Sequence, residues 1–501
     1  MNSPHFHKLK IKDLGIDTYR ENIIFIRADS HVCKSEGFTA LTRIVVHKNG
    51  KEIIATLNVV HSDLLKKGEA SLSEEAMKRL GVQNGDVIAI SHLRPIESLG
   101  QVRAKIYKKE LDGQAFQEII KDVVAGHYSN IEIAAFVTAC AGNNLSVNEI
   151  TGLTKAMIAV GNKIQWHDKM IFDKHCVGGL PGNRTTPIVV SIVAAAGLTI
   201  PKTSSRAITS PAGTADTMET MTNVNLTIDE IKKVIVKEGG CFAWGGAVKL
   251  SPADDLLIAV EKSLDIDSEG QMVASVLSKK AAAGSTHIVI DIPVGPTAKV
   301  RSQEEALRLQ YYFKAVSQEL GFLTEIVITD GTQPVGKGIG PSLEAMDVLS
   351  VLRNEPNAPA DLKERAITLS AALLKMSGKY TAGKEWFAAK TILENGDAYK
   401  KFNAICEAQG GFKEPIFARY KHDVFASTEG MIQSVDNRKL GRIAKLAGAP
   451  KSPSAGVLYF APLGKKINKG DLLFSIYAES NGELEYAKEY LDTINGLIEI
   501  K

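Results

Sequence analysis

Two stretches of this chain combine glycine, hydroxyl and cationic side chains at a spacing suited to holding a tetrahedral oxyanion. The first runs Asp173-Lys174-His175-Cys176-Val177-Gly178-Gly179-Leu180-Pro181-Gly182-Asn183-Arg184-Thr185-Thr186 and leads into an apolar helix from Ile188 to Ala196. Glycines let the backbone turn and approach a ligand, and the start of the following helix offers free N–H groups and the positive end of its dipole. Lys174 adds a point charge, and Thr185 and Thr186 add hydroxyl donors. The spacing is neither that of a P-loop, which ends Gly-Lys-Ser/Thr, nor Gly-x-Gly-x-x-Gly, and a purely structural turn is the alternative reading.

The second stretch, Thr203-Ser204-Ser205-Arg206-Ala207-Ile208-Thr209-Ser210-Pro211-Ala212-Gly213-Thr214-Ala215-Asp216-Thr217-Met218-Glu219, is dense in hydroxyls and carries one guanidinium. It follows the apolar helix at a distance that returns the chain to the same edge of a parallel sheet, where α/β folds collect their ligands. Alone it reads as a polar loop with Asp216 or Thr217 capping a helix. Paired with the first stretch, it reads as the second wall of one phosphate cradle.

The elements around these stretches imply an α/β protein with smaller domains attached. From about 171 to 345 buried strands alternate with helices: Thr286-His287-Ile288-Val289-Ile290-Asp291-Ile292, an amphipathic helix through Leu307, Leu309 and Phe313, then Glu325-Ile326-Val327-Ile328. Residues 1–95 read as a β-rich module. There Arg43-Ile44-Val45-Val46 and Glu52-Ile53-Ile54-Ala55 flank an Asn49-Gly50 turn, a Ser71-x-x-Glu74 capping box starts a helix ending before Gly81, and Asp86 to Ile90 form a strand. Residues 96–170 show helical periodicity, with Phe116, Ile119, Ile120 and Val123 on one face, and residues around 255–285 are expected to join this domain in space. Residues 346–501, with Val457-Leu458-Tyr459-Phe460 and Leu472-Leu473-Phe474, read as an α+β ending.

Bulk properties narrow the function. A length of 501 residues, 44% of them hydrophobic, suits several packed cores, about three or four domains. Sixty basic against 57 acidic residues leave a net charge of +3, which gives no general reason to bind nucleic acid. Five cysteines, scattered and odd in number, show neither disulfide nor zinc spacing and fit a reducing, cytoplasmic setting. The amino terminus lacks a signal-peptide pattern, and the longest apolar run, fenced by Pro187 and Pro201, is too short to span a bilayer.

The two stretches together, with Lys174-His175 and its glycines, then Ser205-Arg206 and Ala212-Gly213-Thr214-Ala215-Asp216 with Glu219, resemble the two signatures of the thymidine and pyrimidine nucleoside phosphorylase family. Ala274-Ser275-Val276-Leu277-Ser278-Lys279-Lys280 is similar to the helix on which that family places its base-contacting serine and lysine. Val177 to Asn183, Thr203 to Ser210 and the β-rich module resemble the longer branch of the family, which includes AMP phosphorylases.

The resemblance implies phosphate contacts from Lys174, Thr186, Ser204 and Thr214, with the amides of Gly178 and Gly179 nearby. It implies substrate contacts from Ser205, Arg206, Ala207, Ile208, Thr209, Ser210, Ser275 and Lys279. Imidazole titrates near neutrality, so His175 is the candidate to donate a proton or hydrogen bond to the departing base. Asp267 is a second candidate acid, an exposed loop aspartate being the alternative. Arg206 either binds phosphate or nucleoside, or pairs with Asp216 as scaffold. Lys280 is expected to be a solvated surface charge. Family members often carry serine where this chain has Cys176, a poorer donor. Pyrimidine-specific members place an arginine shortly before the Ser275 helix, where this chain reads Leu257-Ile258-Ala259-Val260-Glu261-Lys262.

The resemblance thus implies a phosphorylase that cleaves thymidine with inorganic phosphate into thymine and 2-deoxy-D-ribose 1-phosphate, without metal or organic cofactor, as a homodimer or higher oligomer. An AMP phosphorylase releasing ribose 1,5-bisphosphate is the alternative. Phosphoribosyl transfer and a non-enzymatic binding protein are the remaining readings.

Overall fold

The computed structural model describes residues 7–501 except Arg20, Ile208, Thr209, Lys249, Asp265 and Asp267. The chain divides into two compact units, Met1–Cys140 with Asp255–Ile266, and Ala141–Asp254 with Asp267–Lys501.

The first unit contains a closed six-stranded barrel in the order His7–Ile11, Glu69–Leu72, Ile23–Arg27, Lys51–Val60, Arg43–Lys48, Val87–His92. Alternation along the strands turns Leu9, Ile11, Ile24, Ile26, Ile44 and Val46 into the barrel's core, and closure removes the exposed sheet edges. Asn49 and Gly50, at φ of 50° and 78°, make the expected hairpin turn. The expected helix is present as Glu74–Leu80, but its N-cap is Ser73. Ser71 instead pairs with Phe25 across the barrel, so sheet pairing overrides the capping box read from the sequence. The unit also holds helices Leu99–Ile106, Gly113–Val124 and Asn130–Cys140, and the stripe Phe116, Ile119, Ile120 and Val123 is buried as predicted.

The second unit is built on parallel strands whose apolar runs are buried on both faces. In chain order its site-forming elements are α1 (Val147–Ala159), β1 (Phe172–Cys176), α2 (Thr185–Ala195), β2 (Ile200–Ser204), α3 (Thr214–Glu219), β3 (Gly240–Trp244), α4 (Glu269–Ala282), β4 (His287–Val294), β5 (Leu323–Asp330) and α5 (Pro341–Leu352). Strands β5, β4 and β1 form one parallel sheet, β2 and β3 another, and a bridge between Ile171 and Thr199 joins the two. The chain therefore winds from β1 out to β2 and β3, then returns to the other side of β1 to lay down β4 and β5. Such a reversal leaves a crevice at the carboxyl ends of β1 and β4. The helix through Leu309 and Phe313 is Gln303–Glu319, with Leu307 on its exposed side.

Four helices that the sequence did not announce, α5, Ala360–Met376, Glu385–Glu394 and Asp397–Ala408, share one core with α2 and the sheet. Beyond them an antiparallel sheet of Gly338–Ile339, Gly456–Tyr459, Leu472–Ala478 and Tyr420–Phe425 packs with helices Asn437–Leu446 and Asn481–Thr493 over its own core. No helix among the described residues is long and apolar enough to cross a membrane.

The outer edge of strand β3 is covered by the Val224 carbonyl, which accepts from the Trp244 N–H at 2.8 Å, and by one side chain. The buried Gln409 accepts from the Phe242 N–H at 2.7 Å and donates to the carbonyls of Phe242 (2.8 Å) and Asn223 (2.7 Å). Each group orphaned in a dry interior costs about 1–3 kcal/mol. Gln409→Leu is therefore expected to lower the urea midpoint of unfolding clearly, whereas an apolar exchange at the exposed Leu307 should leave it in place.

Candidate active site

The pleat of β1 sorts its side chains onto two faces, Asp173 and His175 on one, Lys174 and Cys176 on the other. Lys174 is 1% exposed, and its Nζ donates to Thr185 Oγ1 at 2.8 Å, at the start of α2. Asp291, fully buried on β4 in register with Cys176, stands 4.0 Å from the same ammonium. Asp291 is itself oriented by Thr329 Oγ1 at 2.6 Å, and Asn183 Nδ2 reaches both its carboxylate (3.4 Å) and Cys176 Sγ (3.3 Å). Burial pulls the Lys174 ammonium below its ordinary pKa, with Cys176 and Asp291 opposing. Burial and Asp291 push the Cys176 thiol up to about 12, so it is a neutral thiol at pH 7 and no nucleophile.

Between β1 and α2 the glycine turn is fixed by close approach. Gly179, at φ of 79°, lies so near the Lys299 backbone that a Cβ would come within 2.5 Å of its nitrogen. Gly182, at φ of 70°, would place a Cβ 2.1 Å from the Val335 carbonyl oxygen. The N-cap of α2 is Arg184, which makes no side-chain cap, so the amides of the first turn keep their hydrogen-bonding capacity for an anion.

Arg184 brings the two sequence stretches together. Its Nη1 donates to Thr214 Oγ1 at 2.8 Å and its Nη2 to the Ala212 carbonyl at 2.9 Å, while Nε binds Glu344 of α5 at 2.7 Å. Since Thr185 holds Lys174 and its neighbour Arg184 holds Thr214, both stretches close on the same helix start. Burial raises the Glu344 carboxyl to about 7, against the pull of Arg184. Thr186 is buried beside Thr185, and Ser204, at the end of β2, has a buried hydroxyl without a hydrogen-bond partner among the described residues.

Asp216 shapes the second stretch by accepting from the amides of Ala207 (2.6 Å) and Gly213 (2.8 Å). Arg206 has partners within the protein, Asp216 and Glu219. It forms a two-pronged pair with Glu219 at 2.5 and 2.8 Å, reaches Asp216 at 3.4 Å and stacks over Trp244 at 4.7 Å. Ser205 is exposed, Ala207 and Ser210 half-buried, and the Ser210 hydroxyl turns back to the Ala212 carbonyl. Ile208, Thr209 and Asp267 lie outside the described residues.

Ser275 and Lys279 lie one turn apart on α4, both half-buried, with Lys279 Nζ 2.6 Å from the buried Asp254. Lys280 is not the surface charge expected. It is 2% exposed and its Nζ donates to Asp173 at 2.6 Å, because α4 turns this residue inward onto β1. His175 stands on the same face of β1. Burial, followed by Lys280, Lys202, Lys279 and Lys174, holds its imidazole well below the ordinary histidine range. The neutral form of the ring is thereby favoured.

The sequence pointed to Lys174, His175, Thr214 and the glycine turns. It did not single out Lys202, Asp291 or Glu344, which lie outside the two motifs, and Asp173 and Arg184 were visible only as letters of the first motif. No group of three or more His, Cys, Asp or Glu among the described residues is placed to hold a metal. A cavity of about 540 Å³ at the amino-terminal edge of the strands, lined by Trp166, Thr199 and Gly239, is separate from these residues.

Comparison with known proteins places this geometry. Residues 168–399 match the glycosyl transferase family a/b domain, residues 101–161 its helical bundle domain, and residues 431–498 the pyrimidine nucleoside phosphorylase C-terminal domain. A protein of Legionella pneumophila (strain Corby) named "Putative thymidine phosphorylase" is 56% identical over 98% of this chain and 95% of its own length. A relative of the same name from Hahella chejuensis is 53% identical over 98% and 97%. Among solved structures, anthranilate phosphoribosyltransferase from Thermus thermophilus is similar with a TM-score of 0.52 at 18% identity, over 62% of this chain and 98% of its own, a likeness of fold. Mixed α/β architecture, domain composition and extended identity agree: the chain belongs to the thymidine/pyrimidine nucleoside phosphorylase family, and is an enzyme of the pentosyltransferase class.

Proposed function

We propose that this enzyme uses inorganic phosphate to split thymidine into thymine and 2-deoxy-D-ribose 1-phosphate. The observation that carries the reading is the joint closure of two separate polar turns on the start of α2, through Lys174–Thr185 and Arg184–Thr214. Phosphate would sit among Lys174, Thr186, Thr214, the Ser204 hydroxyl and the amides of Gly178, Gly179 and α2, where a dianion is met by charge and by fixed donors at once. One of its oxygens attacks the anomeric carbon as the bond to the base breaks through an oxocarbenium-like state. Ser275 and Lys279 would address the base, and His175 would donate a neutral N–H hydrogen bond to it as negative charge develops there. Arg206, already paired with Asp216 and Glu219, serves chiefly to hold the start of α3 in place. Phosphate is the co-substrate, and a cytoplasmic homodimer is the expected form.

A second reading, cleavage of AMP into adenine and ribose 1,5-bisphosphate, draws on one specific feature. The segment Leu257 to Lys262, within the helix Pro252–Leu264, carries no arginine to read a pyrimidine.

Release of free base measured over nucleosides and their 5′-monophosphates, with and without phosphate, separates the two. Thymidine is expected to react only when phosphate is present and to keep reacting in chelator; turnover of monophosphates alone would transfer the assignment to the second reading. Lys174→Met removes the buried cation and is expected to lower kcat/KM by about 10²–10³, the loss that follows removal of a fixed charge-stabilising donor. The pH dependence carries a sign. An imidazolium acid would lose its proton, and the enzyme its rate, as pH rises through the ordinary histidine range, whereas a neutral donor keeps its N–H. The kcat/KM of the enzyme is therefore expected to show no His175-dependent fall between pH 6 and 8, a decline in that window absent from His175→Asn being the contrary result.

A further inference from the structure

The buried charges behind His175 are not used by the reaction as described, and their arrangement is unusual. Asp173 is fully buried and one carboxylate serves two lysines. Its Oδ1 accepts from Lys202 Nζ at 3.1 Å, and its Oδ2 accepts from Lys280 Nζ at 2.6 Å and from Ser285 Oγ at 3.2 Å. Lys202 and Lys280 are themselves 4% and 2% exposed. Burying an ion pair costs desolvation that well-packed apolar side chains would avoid, and a second ammonium on the same carboxylate adds like-charge repulsion. A core shaped for stability alone would not retain it.

What the cluster does geometrically is join three elements at the reacting end of the sheet. The Lys174 N–H donates to Asp173 Oδ1 at 2.7 Å, and the Lys174 carbonyl accepts from Lys202 Nζ at 2.7 Å. Both polar ends of the residue that leads into His175 are therefore tied down. Lys280 belongs to α4, the helix of Ser275 and Lys279, and its bond to Asp173 fixes that helix against β1. We propose that Lys280 and Lys202, clamped on Asp173, are positioning residues of the phosphorolytic reaction, locking the strand that presents Lys174 and His175 to the helix that presents Ser275 and Lys279. This rests on the reading given under Proposed function.

The electrostatics agree with the geometry. Burial alone would raise the Asp173 carboxyl, but Lys202 and Lys280 outweigh it and hold it below its usual range. Burial, then Lys280 and Lys279 of α4, Lys202 of β2 and, from the opposite face of β1, Lys174, all oppose a proton on the His175 imidazole. With Asp173 the nearby carboxylate on that face, removing one lysine lets the His175 pKa rise.

The test is Lys280→Met, which keeps an unbranched side chain one atom shorter and removes its charge. Steady-state kinetics with phosphate and nucleoside varied in turn, and NMR titration of the histidine ring assigned through His175→Asn, are measured on the full chain. A helix displaced against the reacting strand costs on the order of 100-fold in rate. The expected result is a fall of about that size in kcat/KM for the nucleoside, little change in KM for phosphate, which meets the opposite face of β1, and an upward shift of the His175 titration midpoint. A folded variant with wild-type kinetics, or one whose His175 titration does not move, overturns the proposal. Should Lys280→Met not fold, the double variant Asp173→Asn, Lys280→Met removes charge and counter-charge together. The same kinetic loss there supports the lock, and wild-type kinetics overturn it. If the unaltered enzyme phosphorolyses no nucleoside, the functional reading fails, and the His175 titration in wild type and variant still decides whether the lock acts on the imidazole.

Discussion

An anion site needs cations, and cations placed at the end of a buried sheet must each be answered inside the protein. Lys174 faces Asp291, Arg184 grips Glu344, Lys279 sits on Asp254, and Lys202 and Lys280 divide Asp173 between them. Removing any partner would strand a charge in a region of low dielectric, so the carboxylates are as much part of the site as the cations. Arg206, with Asp216 and Glu219, completes the set, so the cations at this edge are matched by carboxylates one for one. The chain as a whole is likewise nearly neutral.

The winding of the sheet decides where this happens. With β4 returning beside β1, the carboxyl ends of two oppositely wound halves lie together. The pleat of β1 then divides the labour. Lys174 points toward α2 and its hydroxyls, on the side suited to an anion, while His175 points toward α4, on the side suited to a base. One five-residue strand thus sets Lys174 and His175 on opposite faces with no loop between them, and in the proposed reaction those faces would flank the bond that breaks.

Much of this was legible in the sequence because the glycine-bearing turns must adopt conformations few residues tolerate. Gly179 and Gly182 leave no room for a Cβ, so their spacing is written in the chain. The strand and helix alternation was equally visible in runs such as Ile288 to Ile292 and Ile188 to Val193. Lys280 was misread because local context, an adjacent Lys279 on a helix, resembles a solvated face, and only the packing of α4 on β1 reveals which lysine turns inward. Ser71 was misread for a related reason: its capping pattern is local, and pairing with Phe25, far earlier in the chain, prevails. Asp173, Asp291 and Glu344 carry no short-range signal because their partners are supplied by strands and helices distant in sequence, and the same holds for Gln409 at the edge of β3.

A neutral His175 also suits the charge flow of the proposed reaction better than an imidazolium would. The sugar becomes cation-like as the base leaves, and another full positive charge beside it, within reach of four lysines, would oppose that state. A neutral N–H donor stabilises the developing negative charge on the base without opposing the sugar. In that reading the phosphate dianion, on the other face of β1, would supply the compensating field from the direction of attack, while the lysines on the His175 face, answered by Asp173 and Asp254, would act on the imidazole and not on the nucleophile.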